Sequence, residues 1–223
     1  MKTIFRLDAS IRNDGSVSRA IANTLQSALA SELGDSVVVH REIGLTPLPS
    51  TAWAASAFSG YVPEAEHTAE QKQARALASE LADELVDADA YIFAVPLYNF
   101  GVSQHFKAWV DLLLTEPRFP PGGQRILEGR PAYLVIARGG GYAPGTPRHG
   151  WDHATGWLTR ILADVLGLNV EVIESELTLA DVNPAMAGLR DLAAQNLQNA
   201  HSAAADHGRR LATQLVITTS AAE

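Results

Sequence analysis

Composition and charge restrict the function classes that suit this chain of 223 residues. Hydrophobic residues make up 47% of it, enough for the core of one domain, because α/β sheets of about 200 residues commonly stay undivided. The formal net charge of -8 argues against nucleic acid and acidic membrane surfaces as partners. With no cysteine there is no disulfide, thiolate nucleophile or cysteine metal site, so redox chemistry would need a bound cofactor. No apolar run resembles a secretory signal or a bilayer span of about 20 residues, and we expect a cytoplasmic protein.

Five short apolar runs alternate with helical patterns along the chain. The predicted strands cover residues 2–7, 36–39, 90–96, 132–137 and 168–173. Such runs are typical of buried parallel strands, and apolar residues three or four positions apart predict helices between them, the last over 184–212. The alternation predicts an α/β fold, a flavodoxin-like doubly wound five-stranded parallel sheet with helices on both faces. Residues 1–212 are expected to form a single domain and 213–223 a C-terminal tail.

The loop after the first strand, ASIRNDGSVSR, has the character of an anion site. Ser10, Ser16 and Ser18 precede and open a helix, whose free N–H groups and positive dipole end favour an anion. Arg12 and Arg19 could each pair with a phosphate. The loop matches neither G-x-x-x-x-G-K-[ST] nor G-x-G-x-x-G, which favours a single terminal phosphate over ATP or the usual dinucleotide mode. Simple helix capping by a serine is the alternative interpretation.

The third strand ends in PLYNFG, residues 96–101. A flat heteroaromatic ring needs apolar contact on its faces and hydrogen-bond partners in its plane. Tyr98 and Phe100 offer the first, while Asn99 and the turn amides offer the second. Gly101 is expected to let the backbone turn sharply or approach closely. Ordinary turn chemistry explains the same residues equally well.

The loop after the fourth strand, ARGGGYAPGTPRHGWDH, supplies a glycine-rich rim. Glycines at Gly139 to Gly141 let backbone N–H groups lie close to the edge of a ligand. Carboxyl ends of parallel strands meet at one edge of the sheet, so three loops should offer a phosphate cradle, an aromatic shelf and this rim together. FMN needs all three. The stretch HGWDH contains His149, Asp152 and His153. The two histidines are four positions apart, but no third ligand with a matching placement is evident, and no metal is predicted.

The stretches SIRNDGSVSR, PLYNFGVSQHFKAWVD and ARGGGY resemble the FMN-dependent NADH azoreductase and NAD(P)H quinone reductase family of flavodoxin-like proteins. The resemblance runs, with gaps, from residue 1 to about residue 200, and its most specific block is P-x-Y-N-F. It implies a homodimeric FMN enzyme with the site at the interface. NADH or NADPH would give hydride to flavin N5, and a quinone or azo compound would then receive it by ping-pong exchange.

The resemblance and the loop chemistry together define the predicted site. The cofactor-binding residues are predicted to be Ser10, Arg12, Ser16, Val17, Ser18, Pro96, Leu97, Tyr98, Asn99, Phe100, Arg138, Gly139, Gly140 and Gly141. Tyr142 falls where family members place a substrate-facing residue, and His149 could protonate a quinone oxygen, so both are predicted to be catalytic. A solvent or capping role is the alternative for the histidine.

Three choices stay open from the sequence. The proline-rich segment 115–125 departs from the family pattern at the outer wall of the pocket, so the electron acceptor is not identified. A flavodoxin-type electron carrier and a biosynthetic reductase of one quinone-like intermediate are the alternatives to a general quinone or azo reductase. The sequence shows no recognisable site for a 2'-phosphate, so the choice between NADH and NADPH stays open.

Overall fold

A parallel sheet of five strands forms the centre of the structure, a computed structural model that describes residues 1–119 and 122–220. The strands are β1 (Lys2–Asp8), β2 (Ser36–Glu42), β3 (Ala90–Tyr98), β4 (Gly101–Val102), β5 (Pro131–Ala137) and β6 (Asn169–Ser175). Their order is β2-β1-β3-β5-β6, and every neighbouring pair on this path is parallel. The two-residue β4 pairs antiparallel with the end of β3. The predicted fold class is therefore confirmed, with one short strand added.

Helices cover both faces of the sheet. They are α1 (Val17–Leu33), α2 (Ala52–Ser59), α3 (Ala69–Val86), α4 (Gln104–Leu113), α5 (Thr155–Thr159) and α6 (Arg190–Ser220). Short 3-10 turns span Glu64–Glu66 and Pro184–Leu189, and a π-helical turn, Arg160–Val165, extends α5. Apolar residues of α1 and α6 pack on one face, and those of α2 to α5 pack on the other. Both faces of the central strands are buried, which explains their continuous apolar runs.

An aromatic cluster fills the core beneath α3 and α4. Phe5, Tyr91, Phe93, Phe106 and Trp109 have exposed fractions of 0%, and their ring centroids lie 5.4 to 6.2 Å apart. Rings of this size bury much apolar area and prefer tilted or offset contacts, as most of these pairs show. The cluster holds α4 firmly against β1 and β3, the two strands whose ends flank the site described below.

Two differences from the predicted boundaries concern the C-terminal part of the chain. The predicted last helix, 184–212, begins as a 3-10 turn and continues as α6 to Ser220, so residues 213–220 of the expected tail are helical. Leu215 is 4% exposed, and its burial explains why the helix does not stop at residue 212.

Residues 221–223 of the predicted tail, and residues 120 and 121 of the 115–125 segment, lie outside the described residues. Within the described chain, no helix is both long enough and apolar enough to cross a membrane.

The strand order creates one point where the connections diverge. From β1 the chain crosses to β2 on one side, whereas from β3 it proceeds to β5 and β6 on the other. Loops that leave the carboxyl ends of β1 and β3 therefore separate there, and a crevice opens between them.

Candidate functional site

An open cleft with a volume of about 110 Å³ lies at this point of divergence. Its lining residues are Ser10, Arg12, Ser16, Val17, Ser18, Pro96, Leu97, Tyr98, Ala137, Gly139, Thr178 and Leu179. Residues from all three predicted loops are among them, so the structure brings those loops together. Thr178 and Leu179, on the segment after β6, were not predicted, although that segment also leaves a carboxyl end of the sheet.

The loop that follows β1, here called the serine loop (residues 9–18), ends at the start of α1. The Ser16 hydroxyl caps the helix by accepting a hydrogen bond from the Arg19 N–H at 3.4 Å, so the capping interpretation is correct for this serine. Ser16 Oγ also lies 3.4 Å from Ser18 Oγ, and both side chains are buried. The N–H groups of Val17 and Ser18 donate no hydrogen bond to any described residue. The helix start therefore keeps free donors beside two hydroxyls.

Tyr98 connects the end of β3 to the serine loop. Its hydroxyl lies 3.4 Å from Ser10 Oγ and accepts a hydrogen bond from the Ile11 N–H at 3.2 Å. Ser10 Oγ in turn accepts one from the Arg12 N–H at 3.3 Å. The tyrosine thus serves as a bridge between two loops as well as an aromatic wall of the cleft.

The turn between β3 and β4 is strained. Asn99 and Phe100 have φ values of 47° and 68°, as in a two-residue type I′ hairpin. The prediction that Gly101 makes the sharp turn is wrong, because Gly101 lies in β4 and its φ is not positive. Phe100 is 37% exposed and meets the edge of Trp151 at 5.3 Å between centroids. Left-handed conformations of non-glycine residues concentrate at functional sites. Neither turn residue lines the cleft itself.

Arg138 is buried and forms ion pairs with three acidic side chains, although its Nε atom makes no hydrogen bond of good geometry within the described chain. Its Nε lies 2.8 Å from Asp152 Oδ2, and its Nη1 contacts Glu174 and Glu176, the latter at 3.2 Å. Burial lowers the pKa of the guanidinium, but the hydrogen bond and charge of Glu174, with the other two carboxylates, raise that pKa above its ordinary value. The side chain connects β5 to β6 and to the start of α5, where it also donates to Thr155 Oγ1, and the predicted place of Arg138 at the cofactor rim stays a prediction.

The glycine rim, Gly139 to Gly141, owes its composition to close packing. A Cβ atom on Gly140 would lie 2.2 Å from Arg148 Nη1, and one on Gly139 would lie 2.7 Å from Leu179 Cδ1. The three rim N–H groups donate no hydrogen bond within the described chain, whereas the carbonyls of Gly139 and Gly140 accept from the segment after β6 and that of Gly141 accepts from the Thr146 hydroxyl. Free donors therefore remain at this edge, as the sequence predicts.

The structure does not bring the two predicted catalytic residues to the cleft. Tyr142 is 9% exposed, donates its N–H to Glu176 Oε2 at 3.1 Å, and lines a separate open groove of about 830 Å³ beside α6. His149 is exposed and lines neither space. Their catalytic roles stay predictions.

A buried ionic network beneath the serine loop was missed by sequence reasoning. Asp8 accepts two hydrogen bonds from Arg6, at 3.2 and 2.9 Å, and lies 3.0 Å from His40 Nε2. Burial alone would raise the pKa of the Asp8 carboxyl, but His40 and Arg6 hold that pKa below its usual value. Asp8, His40 and Glu42 place their ligand atoms within 4.8 Å of one another. The guanidinium of Arg6 already occupies the Asp8 oxygens, which argues against a cation there.

Comparison with known proteins agrees with this geometry. Residues 2–207 match a protein family described as having a flavodoxin-like fold. The FMN-dependent NADH:quinone oxidoreductase of Frankia alni is 36% identical over 194 residues, which are 86% of this chain and 92% of that protein. The enzyme of the same name from Streptomyces avermitilis is 36% identical over 213 residues, 95% of this chain and 98% of that protein. An FMN-dependent NADH-azoreductase from Bacillus anthracis, solved in complex with FMN, superposes with a TM-score of 0.75 at 19% identity over 95% of this chain and 100% of that one.

The sheet order and the cleft at its switch point define a flavodoxin-like protein. More narrowly, the chain belongs to the family that includes the FMN-dependent NADH:quinone oxidoreductases.

Proposed function

We propose that this protein is an FMN-dependent NAD(P)H oxidoreductase that reduces quinones or azo compounds by ping-pong exchange. The observation that carries the proposal is the meeting of the serine loop, the end of β3 and the glycine rim around one cleft. The names of the relatives support the same cofactor and substrate classes. When bound, FMN supplies an acceptor for hydride from NADH or NADPH and a donor of hydride to the second substrate. The protein's part is to hold, orient and shield that group.

The amino end of α1 would hold the phosphate. Buried hydroxyls of Ser10, Ser16 and Ser18 and the free N–H groups of the first helical turn offer neutral donors, and the positive end of the helix dipole favours an anion. The exposed guanidinium of Arg12 lines the same cleft. A single phosphate suits this donor set better than a longer chain of phosphates, because Arg12 is the only arginine, and no lysine stands, among the described residues that line the cleft.

The flavin ring would lie against the end of β3. Pro96, Leu97 and Tyr98 give that side of the cleft an apolar wall, and the free N–H groups of the glycine rim suit the carbonyl and nitrogen acceptors of a pyrimidine edge. We propose that Asn99 and Phe100 complete the shelf at its outer end. This placement leaves one ring face for the nicotinamide and the acceptor in turn, which is the structural basis of the ping-pong expectation.

A second copy of the chain is proposed to close the pocket. Trp53, Phe58 and Tyr61 are 53%, 65% and 84% exposed, and Trp151 beside the β3–β4 turn is 52% exposed. Large exposed aromatics of this kind mark association surfaces. A homodimer would bury them and place partner residues over the open side of the cleft. We also infer a cytoplasmic location, since NADH and NADPH are supplied there.

The test begins with flavin binding and then measures turnover. Purified protein incubated with FMN and desalted should stay yellow, and it should oxidise NADH steadily with menadione, with parallel double-reciprocal lines. Ser18→Asp would put a carboxylate where the phosphate is proposed, so FMN should bind at least about tenfold more weakly, the effect of roughly 1.4 kcal/mol. Ser27→Asp, on an exposed turn of the same helix, is the matched control and should leave FMN binding unchanged.

Other outcomes would contradict the proposal. Protein that stays colourless in excess FMN rules out the cofactor. Protein that binds FMN but transfers electrons only from a separate reductase, and not from NADH or NADPH, is a flavodoxin-type carrier. Reduction of a single quinone, with menadione and azo dyes inert, would indicate a biosynthetic reductase.

A further inference from the structure

Arg19, in the first turn of α1, is not free to bind a phosphate. Its Nη2 donates to the Ser10 carbonyl at 2.7 Å and to Glu42 Oε2 at 2.7 Å, and its Nη1 donates to the Arg12 carbonyl. Its Nε lies 3.6 Å from Asp8 Oδ2. Two carboxylates therefore neutralise this guanidinium, and its side chain is 14% exposed. The prediction that Arg19 pairs directly with a phosphate does not fit these contacts.

We propose that Arg19 is a positioning residue that holds the serine loop in its anion-binding conformation. The inference rests on the proposed function, because it assumes that the phosphate of FMN is the anion. Arg19 acts on the ligand only through the loop, by fixing two of its carbonyl groups.

Peptide geometry explains how fixed carbonyls orient donors. In a trans peptide the C=O of one residue and the N–H of the next point to opposite sides. Binding of the Ser10 carbonyl by Arg19 therefore directs the Ile11 N–H away from Arg19, and that N–H is bound by the Tyr98 hydroxyl. By the same geometry, binding of the Arg12 carbonyl directs the next N–H, that of Asn13, away from the guanidinium.

The loop needs such a tie because it has little structure of its own. Residues 11–15 are all exposed, and within the described chain no backbone N–H from 10 to 18 donates to a backbone carbonyl. Without Arg19 the loop would have to be ordered when the ligand binds, and that entropic cost would weaken binding.

Glu42 gives the tie a rigid anchor. Its Oε1 accepts hydrogen bonds from the N–H groups of Gly44 and Leu45, at 2.8 and 3.0 Å, which leaves Oε2 for Arg19. Gly44 also lies directly against the serine loop, since a Cβ on it would be 2.0 Å from the Ser10 carbonyl oxygen. The anchor is thus complete without any ligand, as a preorganised site requires.

The test compares two flavins that differ only in the phosphate. Dissociation constants of FMN and riboflavin are measured for the refolded apoprotein by quenching of flavin fluorescence. Arg19→Ala should weaken FMN binding roughly tenfold to hundredfold, the effect of lost charge-assisted hydrogen bonds, and riboflavin binding by less than about threefold. Arg19→Lys keeps the positive charge but loses the planar guanidinium with its several N–H donors, so the affinity of this variant for FMN should be intermediate.

Arg41→Ala is the matched control. Arg41 lies on the same strand as His40 and Glu42 and pairs with Glu80 and Glu84, but within the described chain it forms no hydrogen bond or ion pair with the serine loop. It should change FMN and riboflavin binding equally or not at all. Thermal unfolding identifies any variant that does not fold, in which case Arg19→Lys carries the comparison.

The outcomes separate this inference from the proposed function. Equal weakening of both flavins in the Arg19 variants, or no change in FMN binding, overturns the positioning role while the FMN enzyme stands. Wild-type protein that binds neither flavin overturns the proposed function, and this inference with it.

Discussion

Replacing Arg138 by methionine should destabilise the protein by about 2 to 4 kcal/mol at neutral pH. Removing one partner of a buried ion pair costs about 3 to 5 kcal/mol, because the remaining charge is left without compensation. Here the side chain of Arg138 is 6% exposed, while those of Asp152 and Glu176 are 16% and 15% exposed and that of Glu174 is 48% exposed. Solvent screening at the more exposed carboxylates reduces the cost to the lower range.

The pH dependence of this loss has a definite sign. Burial alone would raise the pKa of Asp152, but hydrogen bonds from Thr155 and Ala154 and the charge of Arg138 hold it below the ordinary value of 3.8. A depressed carboxyl pKa gives stability that is fully present above 3.8 and is lost as the pH falls through the lower folded value. Protonated carboxyls no longer need the arginine, so the gap between wild type and variant should narrow in acid.

Urea unfolding followed by far-UV circular dichroism measures the free energy of unfolding at neutral pH and in acid. Arg160→Met is the control, since Arg160 and its partner Asp164 are 75% and 63% exposed and 3.5 Å apart, and it should cost less than about 0.5 kcal/mol. If Arg138→Met is no worse than this control, or if the gap does not narrow in acid, the account of Arg138 as the buried tie of the rim is refuted.

Three further results are expected. Asp8→Asn should make the stability less dependent on pH in acid, because the wild-type carboxyl has a folded-state pKa below 3.8 and loses its stabilising charge as the pH falls through that pKa. Urea unfolding across the acid range measures this dependence, and an unchanged dependence would contradict the expectation. Tyr98→Phe should weaken FMN binding about fivefold, since it removes the bridge to Ser10. Fluorescence titration measures the affinity, and an unchanged value would deny the bridge a role. Gly139→Ala should lower the affinity for FMN and reduce the stability by only about 1 kcal/mol, because the new methyl group would displace the side-chain end of Leu179, 2.7 Å away, which lines the cleft. A loss of thermal stability with unchanged affinity would contradict a role of the glycine rim in binding.

Several features of the site could be predicted from local sequence, and the reason is that they are local. The serine-rich start of α1 and the apolar end of β3 are each a short run of chain, and topology alone carries both to one edge of the sheet. Other features depend on contacts between distant segments. Thr178 and Leu179 reach the cleft from beyond β6, and the side chain of Arg138 forms ion pairs with acids on β6 and before α5.

By itself, the sequence determined the class of fold and the three loops that meet, because hydrophobic periodicity and the alternation of strands and helices along the chain can be read in one dimension. Only the tertiary structure decided how each polar side chain is used. Arg19 looks like a phosphate ligand in the sequence and Arg138 like a residue of the cofactor rim, yet each forms ion pairs with carboxylates that lie on other elements, Glu42 and Asp152 among them. An arginine binds the nearest acceptors that share its buried surroundings, and those neighbours exist only after the strands and helices have packed.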